Sequence, residues 1–187
     1  MTFALNDPAA QARSLGHTGP MDITIRPIRQ PEFETVGELV AEVYLAEGLL
    51  HGGAHDPYAA ELRKVAHRAE HAEVLVAADG VDGAVLGAVT FAAHGSPYAE
   101  LAGPGEGEFR MLAVRPEGRG RGIGEALVRA CLTRARALGL RGMVLSSQQH
   151  LLPAHRLYRR LGFARAAERD WAPVPGLTLW AFARELT

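Results

Sequence analysis

The feature that most constrains this chain is a glycine-rich segment between a strand pattern and a helix pattern. Residues 114–124 read Val-Arg-Pro-Glu-Gly-Arg-Gly-Arg-Gly-Ile-Gly, with glycine at every second position from 118 onward. Glycines let the backbone come close to a ligand, and the N–H groups of such a turn bind anionic oxygens together with the positive end of the following helix. The segment therefore predicts a loop that holds a phosphate-bearing ligand.

Two common phosphate-binding motifs do not fit the spacing of this segment. A P-loop needs Lys-Ser or Lys-Thr after its last glycine, whereas Gly124 is followed by Glu125 and Ala126. A dinucleotide fingerprint needs Gly-x-Gly-x-x-Gly and an acid at the end of the next strand, which here ends in Ser146-Ser147. A plain glycine-rich turn without a ligand is the remaining alternative.

The remainder of the chain predicts one mixed α/β domain. Apolar runs bounded by Gly and Pro predict strands at 22–29, 73–78, 84–93, 108–114, 140–147 and 177–183. Apolar residues at three- and four-residue spacing predict helices after Pro31, from Asp56 to Ala69, from Gly124 to Leu138, and over 153–161. Residues 1–21 are predicted to form a poorly ordered leader, so the domain comprises 22–187.

Composition and charge exclude several classes of protein. Twenty basic residues against twenty-one acidic residues give a net charge of −1, so nothing attracts the whole chain to nucleic acid or an anionic membrane. No signal-peptide pattern or membrane-spanning run is evident, and we expect a cytoplasmic protein without nucleic-acid or membrane partners. The sequence leaves a homodimer open.

Histidine and cysteine residues do not predict a metal site or a reactive thiol. The pairs His51/His55 and His67/His71 have a four-residue spacing, but such pairs are more often solvated surface histidines. The single cysteine, Cys131, cannot form an internal disulfide and falls on the predicted core face of a helix. We therefore expect no metal.

Arg119, Gly122 and Gly124 form the pattern Arg-x-x-Gly-x-Gly, which resembles the acyl-CoA pyrophosphate loop of the GNAT family of N-acetyltransferases. Pro116 and the downstream segment 154–163, Ala-His-Arg-Leu-Tyr-Arg-Arg-Leu-Gly-Phe, are similar to that family in order and spacing. The resemblance implies a single α/β (α+β) domain. Its mixed, mostly antiparallel sheet would have six to seven strands, flanked by about four helices and splayed between strands four and five.

The resemblance also implies acetyl-CoA as the acyl donor and a set of residues that hold it. The main chain of 112–114 would bind the pantetheine arm as an added strand does, and 119–125 would hold the pyrophosphate. Many family members have a pantetheine-binding asparagine where this chain has Leu151, and Ser146, Ser147, Gln148 or Gln149 could replace it. The implied cofactor-binding residues are Leu112, Ala113, Val114, Arg119, Gly120, Arg121, Gly122, Ile123, Gly124, Glu125 and Ser147.

Two side chains are implied to be catalytic. Tyr158 matches the tyrosine that protonates the departing thiolate, although it could instead be a core residue of its helix. Glu108 stands six residues before Val114, where one branch of the family places its general base, although an ion-paired carboxylate is an equal alternative. Glu106, acting through water, is a weaker substitute. The oxyanion donor would be a main-chain N–H near Leu112.

The predicted reaction is direct transfer of an acetyl group, in a ternary complex, to the primary amine of a small molecule. A protein N-terminal or lysine acetyltransferase and a noncatalytic acyl-CoA-binding module are the alternatives. The acceptor would enter between loops at 51–58, 94–107 and 168–176, whose acids suit a cationic amine. These loops carry Asp56, Glu100, Glu106, Glu168 and Asp170 beside Tyr98 and Trp171.

Overall fold

The protein is described by a computed structural model that covers residues 23–80 and 83–186. The leader predicted at 1–21 lies outside these residues.

A mixed eight-stranded sheet is the centre of the described chain. Its strands are β1 (Ile23–Pro27), β2 (Glu73–Asp79), β3 (Val85–Ala93), β4 (Glu106–Val114), β5 (Gly142–Gln148), β6 (Ala164–Arg165), β7 (Trp171–Val174) and β8 (Leu177–Glu185). Their order is β1-β2-β3-β4-β5-β8-β6, with β7 paired to β8, and among these pairs only β4–β5 is parallel. The mostly antiparallel sheet is confirmed. Its strand number exceeds the expected six to seven because β6 and β7 are too short to show a periodic pattern.

The described residues form five α-helices rather than the expected four. They are α1 (Phe33–Ala46), α2 (Pro57–Arg63), α3 (Val65–His71), α4 (Ile123–Ala137) and α5 (Leu152–Arg160). The helix predicted from Asp56 to Ala69 is broken at Lys64, whose ψ of 54° lies outside the helical region. Leu62 and Val65 are three residues apart and both buried, so the apolar spacing continues across the break and does not reveal it.

Each face of the sheet has its own apolar core. Helices α4 and α5 cover one face, where Leu127 and Cys131 are fully buried. Helices α1 to α3 cover the other face through Leu39 and Leu62. The predicted core position of Cys131 is confirmed, and burial raises the pKa of its thiol far above the usual range.

The sheet opens between its two parallel strands. β4 pairs with β5 only through Glu106–Glu108 and Gly142–Val144. β4 then continues to Val114 and stays paired with β3 on its other edge, while β5 continues to Gln148. The predicted splay between strands four and five is confirmed. Within the described residues it leaves the main chain of β4 beyond Glu108 without a strand partner on this edge.

Candidate active site

A cavity of about 220 Å³ lies where β4 and β5 separate. Its wall combines the ends of these two strands with side chains from α1, α2, α5 and the β7–β8 hairpin. The lining includes Tyr44, His51, Asp56, Tyr58, Phe109, Arg110, Met111, Leu112, Ser147, Leu151, Tyr158 and Trp171. Of the residues predicted to be functional, this cavity therefore brings together Leu112, Ser147 and Tyr158.

A β-bulge in β4 shapes one wall of the cavity. Ala88 faces Ala113 and Thr90 faces Arg110, so β4 has one extra residue in this interval. Met111 has φ 55°, a left-handed conformation that side chains other than glycine rarely adopt. Such a conformation costs about 1–3 kcal/mol and is found where the surrounding fold imposes it, often at functional sites. The bulge is next to Leu112, whose main chain was predicted to contact the reacting group.

Tyr158 presents its hydroxyl group at the cavity from within the α4–α5 core. Its ring packs edge-on against Phe109, with centroids 5.7 Å apart, and also contacts Phe163 and Phe182. The hydroxyl forms no hydrogen bond within 23–80 and 83–186, although Tyr158 is only 6% exposed. Burial raises the pKa of Tyr158 above the usual range, so the phenol keeps its proton at neutral pH.

Glu108 lies behind the cavity wall, not on it. The residue is 0% exposed, and its Oε2 accepts hydrogen bonds from the main-chain N–H groups of Glu100, Leu101 and Ala102 at 2.7–3.2 Å. Its Oε1 has no hydrogen-bond partner among the described residues and lies 3.8 Å from Nε of Arg110. Burial raises the pKa of Glu108 above its ordinary value, against the opposing effect of these N–H donors.

The acids of the three entry loops are largely engaged by the protein itself. Glu106 pairs with Arg169 at 2.7 Å, and Asp170 accepts a hydrogen bond from Arg165 at 2.7 Å. Asp56 caps α2 by accepting a hydrogen bond from the Tyr58 N–H at 2.9 Å, as its position before Pro57 indicated.

Glu100 pairs with Arg110 at 3.1 Å. Asp56 is the only one of the five acids on the cavity wall in the described structure. Three of the five acids, Glu100, Glu106 and Asp170, thus each pair with an arginine and offer less negative charge to a cationic acceptor than the sequence indicated. Charge composition along a loop does not show which cations fold back onto it.

The glycine-rich segment forms a turn that leads into α4. Gly120 and Gly122 have φ 73° and 75°, and a Cβ at either position would have open space around it. Gly122 is the N-cap of α4, whose first N–H groups have no acceptor within the helix. Arg119 pairs with Glu47 at 2.7 Å, while the Glu125 side chain pairs with Arg129 and Arg160. The side chain of Glu125 is thus engaged in ion pairs. Its main-chain N–H, in the first turn of α4, is the group that could contact a ligand.

Ser147 connects the cavity to a buried histidine. Its hydroxyl lies 3.1 Å from Nε2 of His155, which is 1% exposed and stacks on Trp180. Burial lowers the pKa of His155, so the ring is neutral near pH 7. Leu151 also lines the cavity, at the position of the absent asparagine. Ser147 is therefore a polar group on the same wall as Leu151.

Three parts of the cavity wall were not recognised in the sequence. Tyr44 lines it from α1, and its position four residues after Val40 was the available signal. The β7–β8 hairpin was expected to be a loop, although Pro175-Gly176 between two apolar runs is a typical turn. Arg110 stands two residues after Glu108, and strand alternation, which puts both on one face, was the available signal.

No group of three or more His, Cys, Asp or Glu side chains is placed to hold a metal ion in 23–80 and 83–186. In the same residues no helix is both long and apolar enough to cross a membrane.

Comparison with known proteins shows the family of this chain. Residues 34–163 match the model of the acetyltransferase (GNAT) family. An uncharacterized N-acetyltransferase of Schizosaccharomyces pombe is 34% identical over 161 residues, which cover 84% of this chain and 93% of that protein. The chain therefore belongs to the GNAT family. It is accordingly an N-acetyltransferase of this family.

Solved structures share the same architecture. A phosphinothricin acetyltransferase from Sinorhizobium meliloti in complex with acetyl-CoA is 26% identical, with a TM-score of 0.66 and 89% of each chain covered. A putative acetyltransferase from Salmonella typhimurium with its cofactor acetyl-CoA is 21% identical, with a TM-score of 0.67 over 89% of this chain and 95% of that chain. The second likeness shows the fold alone.

Proposed function

We propose that this protein acetylates the primary amine of a small molecule by direct attack within a ternary complex. The observation that supports the proposal is the cavity between β4 and β5, because Tyr158 and the unpaired edge of β4 both line it. Its volume of about 220 Å³ suits a small acceptor. A peptide acceptor would need an open groove.

The residues present fit acetyl-CoA, which supplies the acetyl group as a thioester. Gly120 and Gly122 leave open space over a turn whose N–H groups precede α4, an arrangement suited to a pyrophosphate. Arg119, shared with Glu47, and Arg121 would add positive charge there. The open edge of β4 at 112–114 offers main-chain groups to an amide-containing arm. Ser147 would supply a hydroxyl in place of the missing asparagine.

Three groups would handle charge and protons during transfer. Tyr158 holds a proton at Oη and would donate it to the leaving group. A main-chain N–H at the bulge near Leu112 would stabilise negative charge on the carbonyl oxygen. Glu108 would receive the amine proton at Oε1 through one water molecule, because its side chain does not reach the cavity wall. Its raised pKa favours proton uptake near neutral pH.

Release of free thiol from acetyl-CoA in the presence of a panel of small primary amines tests the function. We expect amine-dependent thiol release for at least one acceptor class. The initial rates should follow a sequential pattern, in which both substrates bind before either product leaves. Tight acetyl-CoA binding without turnover on any amine would instead support the noncatalytic module. Faster acetylation of peptide N-termini or lysines than of every small amine would contradict the proposed acceptor.

The role of Glu108 requires a pH profile, since the residue also holds residues 100–102 in place. Glu108→Gln should lower kcat about 10²–10⁴-fold and remove the acidic limb of the kcat/KM profile. Glu106→Gln is the matched control, because Glu106 lies on the same strand as Glu108 but pairs with Arg169. This variant should keep the acidic limb. An unchanged acidic limb in Glu108→Gln would assign the residue a positioning role only.

A further inference from the structure

The cavity wall carries a positive charge in addition to the carboxylate of Asp56. Arg110 is the one arginine or lysine on its wall within the described residues. The side chain is 14% exposed, and Arg110 is the last residue of β4 in regular register with β3 before the bulge. Keeping a guanidinium charged at such a position is costly unless partners compensate it.

Burial opposes this charge, but neighbouring groups that include Glu108 and Glu100 offset it and raise the pKa of Arg110 above its ordinary value. The hydrogen bonds that the protein supplies, however, engage one nitrogen of the guanidinium only. Nη1 of Arg110 donates hydrogen bonds to Oε1 of Glu100 at 3.1 Å and to the Tyr98 carbonyl oxygen at 3.3 Å. Glu100 is a surface residue whose side chain is 42% exposed, so water screens this pair. Nε lies 3.8 Å from Oε1 of Glu108, which is beyond hydrogen-bond distance. Nε and Nη2 of the guanidinium therefore form no hydrogen bond to a carboxylate among the described residues, although Glu108 is near enough for an ion pair.

A second buried arginine lies near two tyrosines of the cavity wall. Arg68 on α3 is 1% exposed, and its Nη1 donates to the Leu62 carbonyl oxygen at 3.2 Å. Its Nε has no partner, and Arg68 forms no ion pair in the described part of the chain. The side chain is near enough to Tyr44 and Tyr58, both on the cavity wall, to interact with them electrostatically.

A buried donor on the cavity wall also lacks an acceptor. Nε1 of Trp171 is buried and has no hydrogen-bond partner within 23–80 and 83–186. An indole N–H can only donate, and a buried donor is rarely left without an acceptor in a folded protein. Arg110 and Trp171 thus both have donor groups that an oxygen atom of a ligand could accept from. Asp56, the carboxylate on the wall, is not their acceptor, because it already accepts two main-chain hydrogen bonds.

We propose that the acceptor amine carries a carboxylate, which Arg110 binds and which Trp171 contacts through its indole N–H. The acceptor is then an amino acid or an amine with an equivalent acidic group. The inference rests on the proposed function, because it names the substrate class of the same cavity. A planar carboxylate matches the fork of a guanidinium, and a desolvated pair of this kind discriminates strongly against a neutral analogue.

The test compares three acceptors that differ only in this group: an α-amino acid, its carboxamide and its decarboxylated amine. Side chains of several sizes are used for each set of three. We expect wild-type kcat/KM to favour the acid by about 100-fold in the best set. Arg110→Gln should remove this preference by lowering kcat/KM for the acid alone, and Arg110→Lys should restore part of it.

Arg134→Gln is the control, because Arg134 on α4 pairs with Glu73 on β2 and does not line the cavity. It should keep the wild-type preference. Turnover of the carboxamide by Arg110→Gln also shows that this variant is folded. Equal wild-type rates for acid and carboxamide, or an equal loss for all three acceptors in Arg110→Gln, would overturn the proposal.

Calorimetric binding of the N-acetylated acid and of its amide, without turnover, separates this inference from the proposed function. Binding of the acid that Arg110→Gln weakens about 100-fold supports the inference even if no amine is acetylated. Acetylation of amines together with equal binding of acid and amide supports the function and overturns the inference.

Discussion

Replacing Tyr158 with phenylalanine removes one hydroxyl group and leaves the packing of the ring intact. The contacts with Phe109, Phe163 and Phe182, at centroid distances of 5.7, 6.3 and 5.9 Å, are made by ring atoms that phenylalanine retains. The hydroxyl has no hydrogen-bond partner in the described structure, so its removal leaves no group unsatisfied. We therefore expect the free energy of unfolding to change by less than about 0.5 kcal/mol.

The same substitution should lower kcat strongly. A positioned general acid contributes about 10²–10⁴-fold, which corresponds to about 3–5 kcal/mol of activation free energy. The assay is thiol release at saturating acetyl-CoA and amine. The affinity for acetyl-CoA should stay the same, because the hydroxyl acts on the leaving group rather than on binding.

Tyr98→Phe is the matched control for this prediction. Tyr98 is also buried, but it lies outside the cavity and its hydroxyl hydrogen-bonds Nδ1 of His67 at 2.7 Å. This variant should lose about 1 kcal/mol of stability and keep its kcat. A Tyr158→Phe enzyme with wild-type kcat would refute the assignment of Tyr158 as general acid.

Three further substitutions test other parts of the account. Glu106→Gln should cost about 1–2 kcal/mol at pH 7, since hydrogen bonding to Arg169 lowers the pKa of Glu106 below its ordinary 4.5. That stability is present above pH 4.5 and is lost as pH falls through the lowered pKa. Urea titrations should therefore show that the difference in the free energy of unfolding between wild type and variant decreases at acidic pH. Asp56→Ala should cost about 1 kcal/mol by removing the cap of α2, whereas Asp56→Asn should not; equal losses would show that charge, not capping, matters. Ser147→Ala should weaken acetyl-CoA binding about 5–10-fold by calorimetry, and unchanged affinity would exclude Ser147 from the pantetheine contact.

The order of strands and helices could be predicted because it depends on local patterns. The alternation of Ile23 and Ile25, the Asp56-Pro57 helix start and the glycines at 120 and 122 each act through neighbouring residues. The break at Lys64 could not be predicted, because α2 and α3 bury one continuous apolar stripe. β7 was missed because it is only four residues long and contains Pro173, features that are typical of a loop.

The site was less predictable because it depends on long-range pairing. Glu106 and Arg169 are 63 residues apart, so no sequence pattern shows that this acid is engaged. The bulge at Met111 shifts which residues of β4 beyond Arg110 face the cavity, which strict alternation cannot reveal. Tyr158 could be identified because the surrounding segment 154–163 has the family's spacing, although spacing alone does not give its burial.

Calorimetric titration with acetyl-CoA tests the central claim most directly, comparing wild type with Gly122→Trp and Gly139→Trp. Both glycines have positive φ and open space around a Cβ, but Gly122 begins α4 and Gly139 follows its end. The two variants therefore carry the same backbone strain, and their thermal unfolding should match. We predict saturable binding to wild type and to Gly139→Trp, and none to Gly122→Trp. Equal binding to both variants, or no binding to folded wild type, would contradict the assignment of this turn as the acetyl-CoA site.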